Sequence, residues 1–237
     1  MNLYELAFAC YMYKFMAGFD ESYTDYLSTT QNSTNLSLIN HREALLAWLN
    51  KWGCRQFAQK SHEIASQEIL LWYSEYEGVL LNYKNRKIQE LSDAELTNIP
   101  EMFDGLSGKK ASIVNNKNNS ALIKTVGPTG AAKILFAIEP DVFIPWDIPM
   151  REKFGYDGSG NSYVEYLKYV KGMINEIRQE CSNYSVSIED LPDHIDRPQS
   201  SLTKLIDEYH WITITKRCEP PARHTLDEWC AWINAKQ

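Results

Sequence analysis

Tyr163, Leu167, Val170, Ile174, Ile177 and Cys181 alternate four-three spacing, and this stripe constrains the chain more than any other feature. The spacing traces one face of a helix over roughly five turns. An apolar stripe that long is stable only when other elements cover it. The partners are legible as further helices. Leu3, Leu6, Ala7, Cys10 and Tyr11 mark one face of an N-terminal helix. HREALLAWLNKW (41–52) and SHEIASQEILLWYSEY (61–76) are amphipathic, the second with Ala65, Ile69, Trp72, Tyr73 and Tyr76 in register. Leu202, Leu205, Ile206 and Tyr209 form a shorter stripe. Ser/Thr-x-x-Glu pairs mark further helix starts at Ser92 with Glu95, Ser162 with Glu165 and Thr225 with Glu228. The polar run STTQNSTN (28–35) reads as a loop, and only WITITK (211–216) alternates like a strand. The expected architecture is a mainly α fold, in two helical lobes and without internal repeats.

Composition narrows the class. Hydrophobic residues make up 44% of the 237 and charged residues 23%, the profile of an ordinary globular protein. No apolar run approaches the roughly 20 residues a membrane span needs. The N-terminal MNLYELAFACYMYKFMAGF lacks a basic start and a small-residue cleavage site, so it does not read as a signal peptide. The five cysteines, at 10, 54, 181, 218 and 230, suggest reduced thiols and a cytoplasmic location rather than a disulfide framework. A net charge of −7 requires any nucleic-acid contact to come from local basic patches. Two such patches are GKKASIVNNKNNS (108–120), with Lys109, Lys110 and Lys117, and YKNRK (83–87), with Lys84, Arg86 and Lys87. The ordinary reading of either is a solvated surface, and their interest depends on what they flank.

The segment between the first patch and the long stripe carries the chemistry. SALIKTV (120–126) reads as a short helix with Asn118, Asn119 or Ser120 as its cap, broken by Gly127. Pro128 occupies the first-turn position of a second helix through Ala131, Ile134, Leu135 and Ile138, which stops before Pro140. Unpaired N–H groups at a helix start make a natural phosphate site, and the small residues Gly127, Gly130, Ala131 and Ala132 would admit a phosphodiester backbone. In FIPWDIP (143–149), Ile144 and Ile148 each precede a proline and are biased toward extended backbone. Asp147 is thereby held at or beside the cap of a helix beginning near Pro149, a common structural job for aspartate.

The stretch TVGPTGAAKILFAIEPDVFIPWDIPM (125–150) resembles the helix-hairpin-helix core of the HhH-GPD DNA glycosylase superfamily, especially its 8-oxoguanine glycosylase-like branch. Val126-Gly127 falls on the family's glycine turn, Ala131 on its small residue, and Pro145-Trp146-Asp147 on the element bearing its essential aspartate. The resemblance implies a two-lobed helical fold with a helix-hairpin-helix at about 118–139. It implies a catalytic Asp147 and duplex DNA gripped by Lys109, Lys110, Lys124, Thr125, Gly127, Thr129 and Gly130. It further implies a monomer without organic cofactor or resident metal, save a monovalent cation at the hairpin. The chain departs from the pattern at two positions. Thr125 replaces the first glycine of the turn, and Thr129 stands where lyase-competent relatives carry their lysine. The second departure implies a monofunctional enzyme that leaves an abasic site. Lys133, one turn on from Thr129 and on the same face, is the other amine candidate.

A base taken out of the stack needs aromatic walls, for which Trp146, Phe143 and Trp211 are candidates, whereas Trp48, Trp72, Trp229 and Trp232 lie on helical stripes as core. His210, His224, Cys218 and Cys230 match no zinc-site spacing, and no four-cysteine iron–sulfur pattern is present. The base itself is open: an oxidised purine by resemblance, or a hypermodified base of phage DNA in antiviral defence. Two readings of other classes stand beside a glycosylase, a non-catalytic helix-hairpin-helix DNA-binding module and a helical scaffold.

Overall fold

The apolar stripe from Tyr163 to Cys181 is buried along its whole length, on a helix spanning Gly160–Ser182. The computed structural model describes residues 1–16, 18–115, 121–222, 224–225, 227–228 and 231. Within these, α1 (Leu3–Met16), α2 (Phe19–Thr30), α3 (Ile39–Lys51), α4 (His62–Leu80) and α5 (Ile99–Ser107) precede a two-stranded ribbon. The ribbon pairs β1 (Lys110–Asn115) with β2 (Ala121–Thr125) in antiparallel register, Ile113 opposite Ile123. After it come α6 (Gly127–Ile138), α7 (Ile148–Phe154), α8 (Gly160–Ser182), α9 (Leu191–His194) and α10 (Leu202–His210). A π-helical turn, Trp211–Thr215, continues α10. The protein is therefore mainly helical, as its periodicity indicates, and most of the buried apolar side chains form one continuous cluster.

Several boundaries move from the sequence reading. Helix α8 begins before Ser162, because Ser159 is the residue that caps it and accepts from the Ser162 backbone N–H at 3.3 Å. Helix α2 runs through Thr30, into the polar stretch expected as loop. On α1 the buried face is Leu6, Ala9, Cys10 and Tyr13, while Tyr11 is 60% exposed. The Ser92–Glu95 capping box forms as expected, though on a short 3-10 turn. Thr225 and Glu228 of the third signature are described, both as helical residues, whereas Trp229 and Trp232 lie outside the described residues.

Two corrections concern the site itself. Residues 121–125 are a strand, not the first helix of a hairpin, so the helix-hairpin-helix expected over 118–139 is a strand, a tight turn and a helix. A run this short cannot sustain a helix alone. Its β-branched Ile123 and Thr125 instead find partners across the ribbon at Ile113 and Lys110. Asn118, Asn119 and Ser120, named as its cap, lie outside the described residues. Conversely, WITITK is not a strand. The Lys216 N–H reaches the Trp211 carbonyl at 2.8 Å, closing a π turn. Ile212 is buried between Ala9 and Tyr13, so burial of that one side chain beneath α1 overrides the alternating pattern.

The helices around the ribbon pack closely. α5 lies against both α6 and α8, and α10 against α1. The start of α8 approaches α5 most tightly: a Cβ at Gly160 would meet the Pro100 carbonyl oxygen at 2.2 Å. The Gly160 N–H also donates to Asp104 Oδ1 at 2.7 Å. Gly160→Ala is therefore expected to destabilise the fold by about 1–3 kcal/mol through overpacking. Urea unfolding should show a lower midpoint at unchanged slope; an unchanged midpoint would refute the close approach.

Candidate active site

The extended segment before α7 is fixed from both sides. Tyr163 of α8 donates its hydroxyl to the Ile144 carbonyl at 2.9 Å and accepts the Ile144 N–H at 3.3 Å. The buried Trp146 donates its indole N–H to the Pro128 carbonyl at 3.1 Å, tying this segment to the first turn of α6. Trp146 is packed among Phe103, Tyr163 and Tyr166, with Tyr166 stacked at 5.6 Å. With its neighbours so held, Asp147 has little backbone freedom. Its φ of −119° and ψ of −178° are extended, and it is the cap of α7. Ile148 enters that helix although it precedes a proline, because Pro149 sits in the first turn, where its missing N–H costs nothing.

Both carboxylate oxygens of Asp147 are engaged. Oδ1 accepts the Met150 backbone N–H at 3.0 Å, and Oδ2 accepts the Thr215 hydroxyl at 2.6 Å. The first bond is an ordinary helix cap. The second reaches across from the π turn, and a cap alone does not require it. Since a carboxylate offers about four lone-pair sites, each oxygen keeps capacity for a further partner.

Asp147 lies at a cavity of about 360 Å³, within the roughly 300–1,000 Å³ of small-molecule sites. Thr129 and Lys133 line it from α6, one turn apart. Lys133 Nζ donates to the Trp52 carbonyl at 2.6 Å and lies 5.6 Å from the centre of the Trp52 ring. Trp146 contributes to one wall, and Tyr13, Phe19, Trp52 and Trp211 form the other. Trp211 meets Tyr13 and Phe19 edge-on at 5.4 and 5.5 Å. Asp207 of α10 completes the lining. Burial pushes its carboxyl up to about 7, while Lys204 and Lys133 pull the other way.

The turn into α6 also takes a definite form. Gly127 adopts φ of +68°, the left-handed region that favours glycine, and open space surrounds the place a Cβ would take. Gln56 donates to the Val126 carbonyl at 2.7 Å. Thr129, like Gly127, is only half-buried. Gly130, Ala131 and Ala132 instead face inward, which corrects their assignment to a phosphate-facing surface. A Cβ on Gly130 would meet Gln56 Nε2 at 2.8 Å, so this glycine serves packing.

The structure thus brings Asp147, Lys133, Thr129, Trp146 and Trp211 to one cavity and leaves other candidates elsewhere. Phe143 is not a pocket wall; it is fully buried and packs edge-on against Tyr83 at 5.4 Å. Lys124 and Thr125 are exposed on β2, and Lys109 and Lys110 lie where β1 begins. Lys110 pairs loosely with Glu68 at 3.5 Å. Lys117 lies outside the described residues. In the second basic patch Arg86 pairs with Glu90 and Glu95, and Lys87 approaches Glu189. His210 is buried, accepts or donates at the Tyr166 hydroxyl at 2.9 Å, and is driven down to about 3 by burial. No group of three metal-binding side chains occurs among the described residues, and Cys230 is not one of these.

Sequence reasoning missed Tyr13, Phe19, Trp52, Asp207 and Thr215. Trp52 ends a helix pattern and Thr215 sits in an apparent strand, so neither carries a local signal of what it faces. Comparison with protein-family models, with curated proteins and with solved structures gives no match.

Because aspartate and asparagine are near-equivalent caps, Asp147→Asn is expected to unfold within about 0.5 kcal/mol of the wild type, whereas Asp147→Ala loses about 0.5–2 kcal/mol. Equal losses in urea titrations of the two variants would show that the ionised charge, not the cap, holds the segment.

Proposed function

We propose that this chain is a DNA glycosylase that hydrolyses the N-glycosidic bond of an extruded base. The observation that carries the reading is Asp147: a doubly anchored carboxylate at the edge of a base-sized aromatic cavity, beside the glycine-entered start of α6. The resemblance of residues 125–150 to the HhH-GPD core gives the reaction class. In this reading the two lobes meet at the cavity, α1–α3 with α10 on one side and α5–α8 on the other. α5 and α6, which pack together, take the place of the two hairpin helices, with the β1–β2 ribbon inserted between them.

The chemistry follows from the arrangement. Extruding a base costs a few kcal/mol, which the aromatic walls repay by stacking. As the glycosidic bond breaks, its electron pair leaves with the base and positive charge grows on the sugar. Asp147 stabilises that charge and accepts a proton from the water that adds to C1′. The Thr215 hydroxyl and the Met150 N–H keep the carboxylate aimed while it acts. Gly127 and Thr129 at the start of α6, with the ribbon lysines Lys109, Lys110 and Lys124, hold the phosphate backbone of duplex DNA. A monovalent cation, which the resemblance implies at this turn, would be held by backbone oxygens of the turn and would offset phosphate charge. With threonine at 129, the enzyme leaves the sugar–phosphate backbone intact. The alternative is a DNA-binding module, for which the Met150 cap alone would suffice.

Three measurements test this. Purified wild type incubated with oxidised DNA and with phage DNA bearing modified cytosines should create alkali-sensitive sites. Asp147→Asn should create none while binding duplex as well or better. Binding without base release on any substrate would support the module instead. Thr215→Val should slow base release about tenfold with little change in duplex affinity, as one orienting hydrogen bond worth roughly 1–1.5 kcal/mol is lost. A rate equal to wild type would remove Thr215 from the machinery. Replacing Lys109, Lys110 and Lys124 by Gln should reduce the salt slope of duplex binding by about 0.9 for each phosphate that these lysines neutralise. An unchanged slope would return the ribbon to plain surface.

A further inference from the structure

Arg151 of α7 carries a charge that no described residue pairs, on a side chain that is nevertheless fixed. Its backbone N–H donates to the Asp147 carbonyl at 3.1 Å, so it leaves the chain one turn after the acid. Its guanidinium stands 5.8 Å from the centre of the Trp146 ring, and its Nε is buried without a hydrogen-bond partner. One terminal nitrogen rests against Gly158, whose φ is +90°. A Cβ there would come within 2.6 Å of that nitrogen and 3.0 Å of Pro128 Cγ. Arg151 therefore lies against the first turn of α6 as well as beside Asp147, and the glycine leaves room for it.

The other described arginines are accounted for. Arg42, Arg86 and Arg197 direct their guanidinium N–H groups onto protein oxygens, and Arg55, Arg178 and Arg217 are exposed to water. Arg197 shares with Arg151 a buried Nε without a partner, but its terminal nitrogens carry three hydrogen bonds to Asp20 and Glu208. Half-buried Arg151 offers five N–H donors, and none reaches an acceptor among the described residues. The carboxylates whose charge reaches it are Asp147, Glu152 and Asp157. Asp147 is engaged by Met150 and Thr215, Asp157 accepts from Ser159 and Ser162, and Glu152 is exposed. Burial disfavours the guanidinium charge more than these carboxylates favour it. A cation is thus built in beside the acid, and its anion is missing.

We propose that Arg151 binds one phosphodiester of the target strand, the one flanking the extruded nucleotide. The inference rests on the glycosylase reading and deepens it by assigning the residue that sets the sugar against Asp147. A guanidinium fork matches two oxygens of a phosphate, whereas the exposed ribbon lysines are point charges on mobile stems. A sugar is bonded to its own flanking phosphates, so a carboxylate that acts at C1′ and a cation that grips the adjacent phosphate must lie close together. Asp147 and Arg151 do. Packing on Trp146 removes in advance part of the side-chain freedom that binding would otherwise cost. Trp146 also donates to the Pro128 carbonyl, so one ring fixes the acid's segment, the start of α6 and the arginine.

The test is duplex binding by the full chain, with a tetrahydrofuran abasic analogue at the target position. The phosphates on either side are replaced one at a time by neutral methylphosphonates. For the wild type, one replacement should weaken binding about tenfold or more, the size of one charge-assisted pair. Arg151→Gln should weaken binding to the unmodified duplex by a similar factor and reduce the salt slope by about 0.9. It should also be indifferent to that one replacement while responding to the others as the wild type does. A merely structural role would weaken binding to every duplex alike. Arg151→Lys should keep the wild-type salt slope and show a smaller response at the same phosphate, because the charge remains and the fork is lost. Losses that simply add, or an unchanged salt slope in Arg151→Gln, overturn the proposal. Where that variant folds poorly, Arg151→Lys decides it, a response equal to wild type at every phosphate being the adverse result. Base release from DNA without a coupled phosphate defeats this inference alone. A coupled phosphate without base release on any substrate defeats the glycosylase reading and leaves Arg151 a phosphate contact of a DNA-binding module. A wild type that binds no duplex defeats both.

Discussion

A lysine ammonium buried beneath aromatic rings organises this protein. Lys204 is almost fully enclosed, 4.0 Å from the centre of the Tyr13 ring and 5.3 Å from that of Trp52. A buried charge is tolerable only when paired. Glu208 one turn along α10 accepts from it, Arg197 closes on Glu208, and Asp20 of α2 closes on Arg197. The neighbouring carboxylates hold Lys204 and Arg197 charged although burial opposes it. Breaking one member of such a set leaves an uncompensated charge and typically costs about 3–5 kcal/mol. α10 is thus fixed against α1 and α2, and the rings that the network supports are walls of the cavity.

The rest of the site follows from that placement. With α10 fixed, Asp207 faces the cavity, and the π turn that continues the helix delivers Trp211 to it and Thr215 to Asp147. An ordinary α-turn would advance the chain differently; widening by one residue re-aims the side chains, which is how π turns are used at functional sites. From the opposite side, Tyr163 and Pro128 set the path of Ile144–Trp146 and so the position of Asp147. The bond from Thr215 to Asp147 joins the two sides, as does the bond from Lys133 to the Trp52 carbonyl. A carboxylate held from both sides does not have to reorganise as charge develops beside it, and that is the main electrostatic advantage of a folded site over water.

The two carboxyls illustrate how one cavity separates roles by environment. Asp147 receives a backbone N–H and a hydroxyl, donors that suit an anion. Asp207 receives none from the described residues and lies deep in the helix packing. Burial favours the neutral form of Asp207, whereas Asp147 is met by two hydrogen-bond donors.

Much of the fold was legible in the residues. The stripe of α8, the helices α3 and α4, and the Pro-x-Asp cap all declare themselves by local spacing, because helix periodicity and capping are short-range effects. The candidate acid, the Thr129–Lys133 pair and Trp146 were readable for the same reason. The ribbon was not, since strand pairing of residues 110–115 with 121–125 stabilises each strand only when the other is present. Nor was the π turn, where burial of Ile212 under α1 overrode an alternating pattern. Trp52, Asp207 and Thr215 are silent in the sequence. Their meaning lies in what they face across the cavity, and contacts between segments far apart in the chain exist only once the tertiary structure has closed.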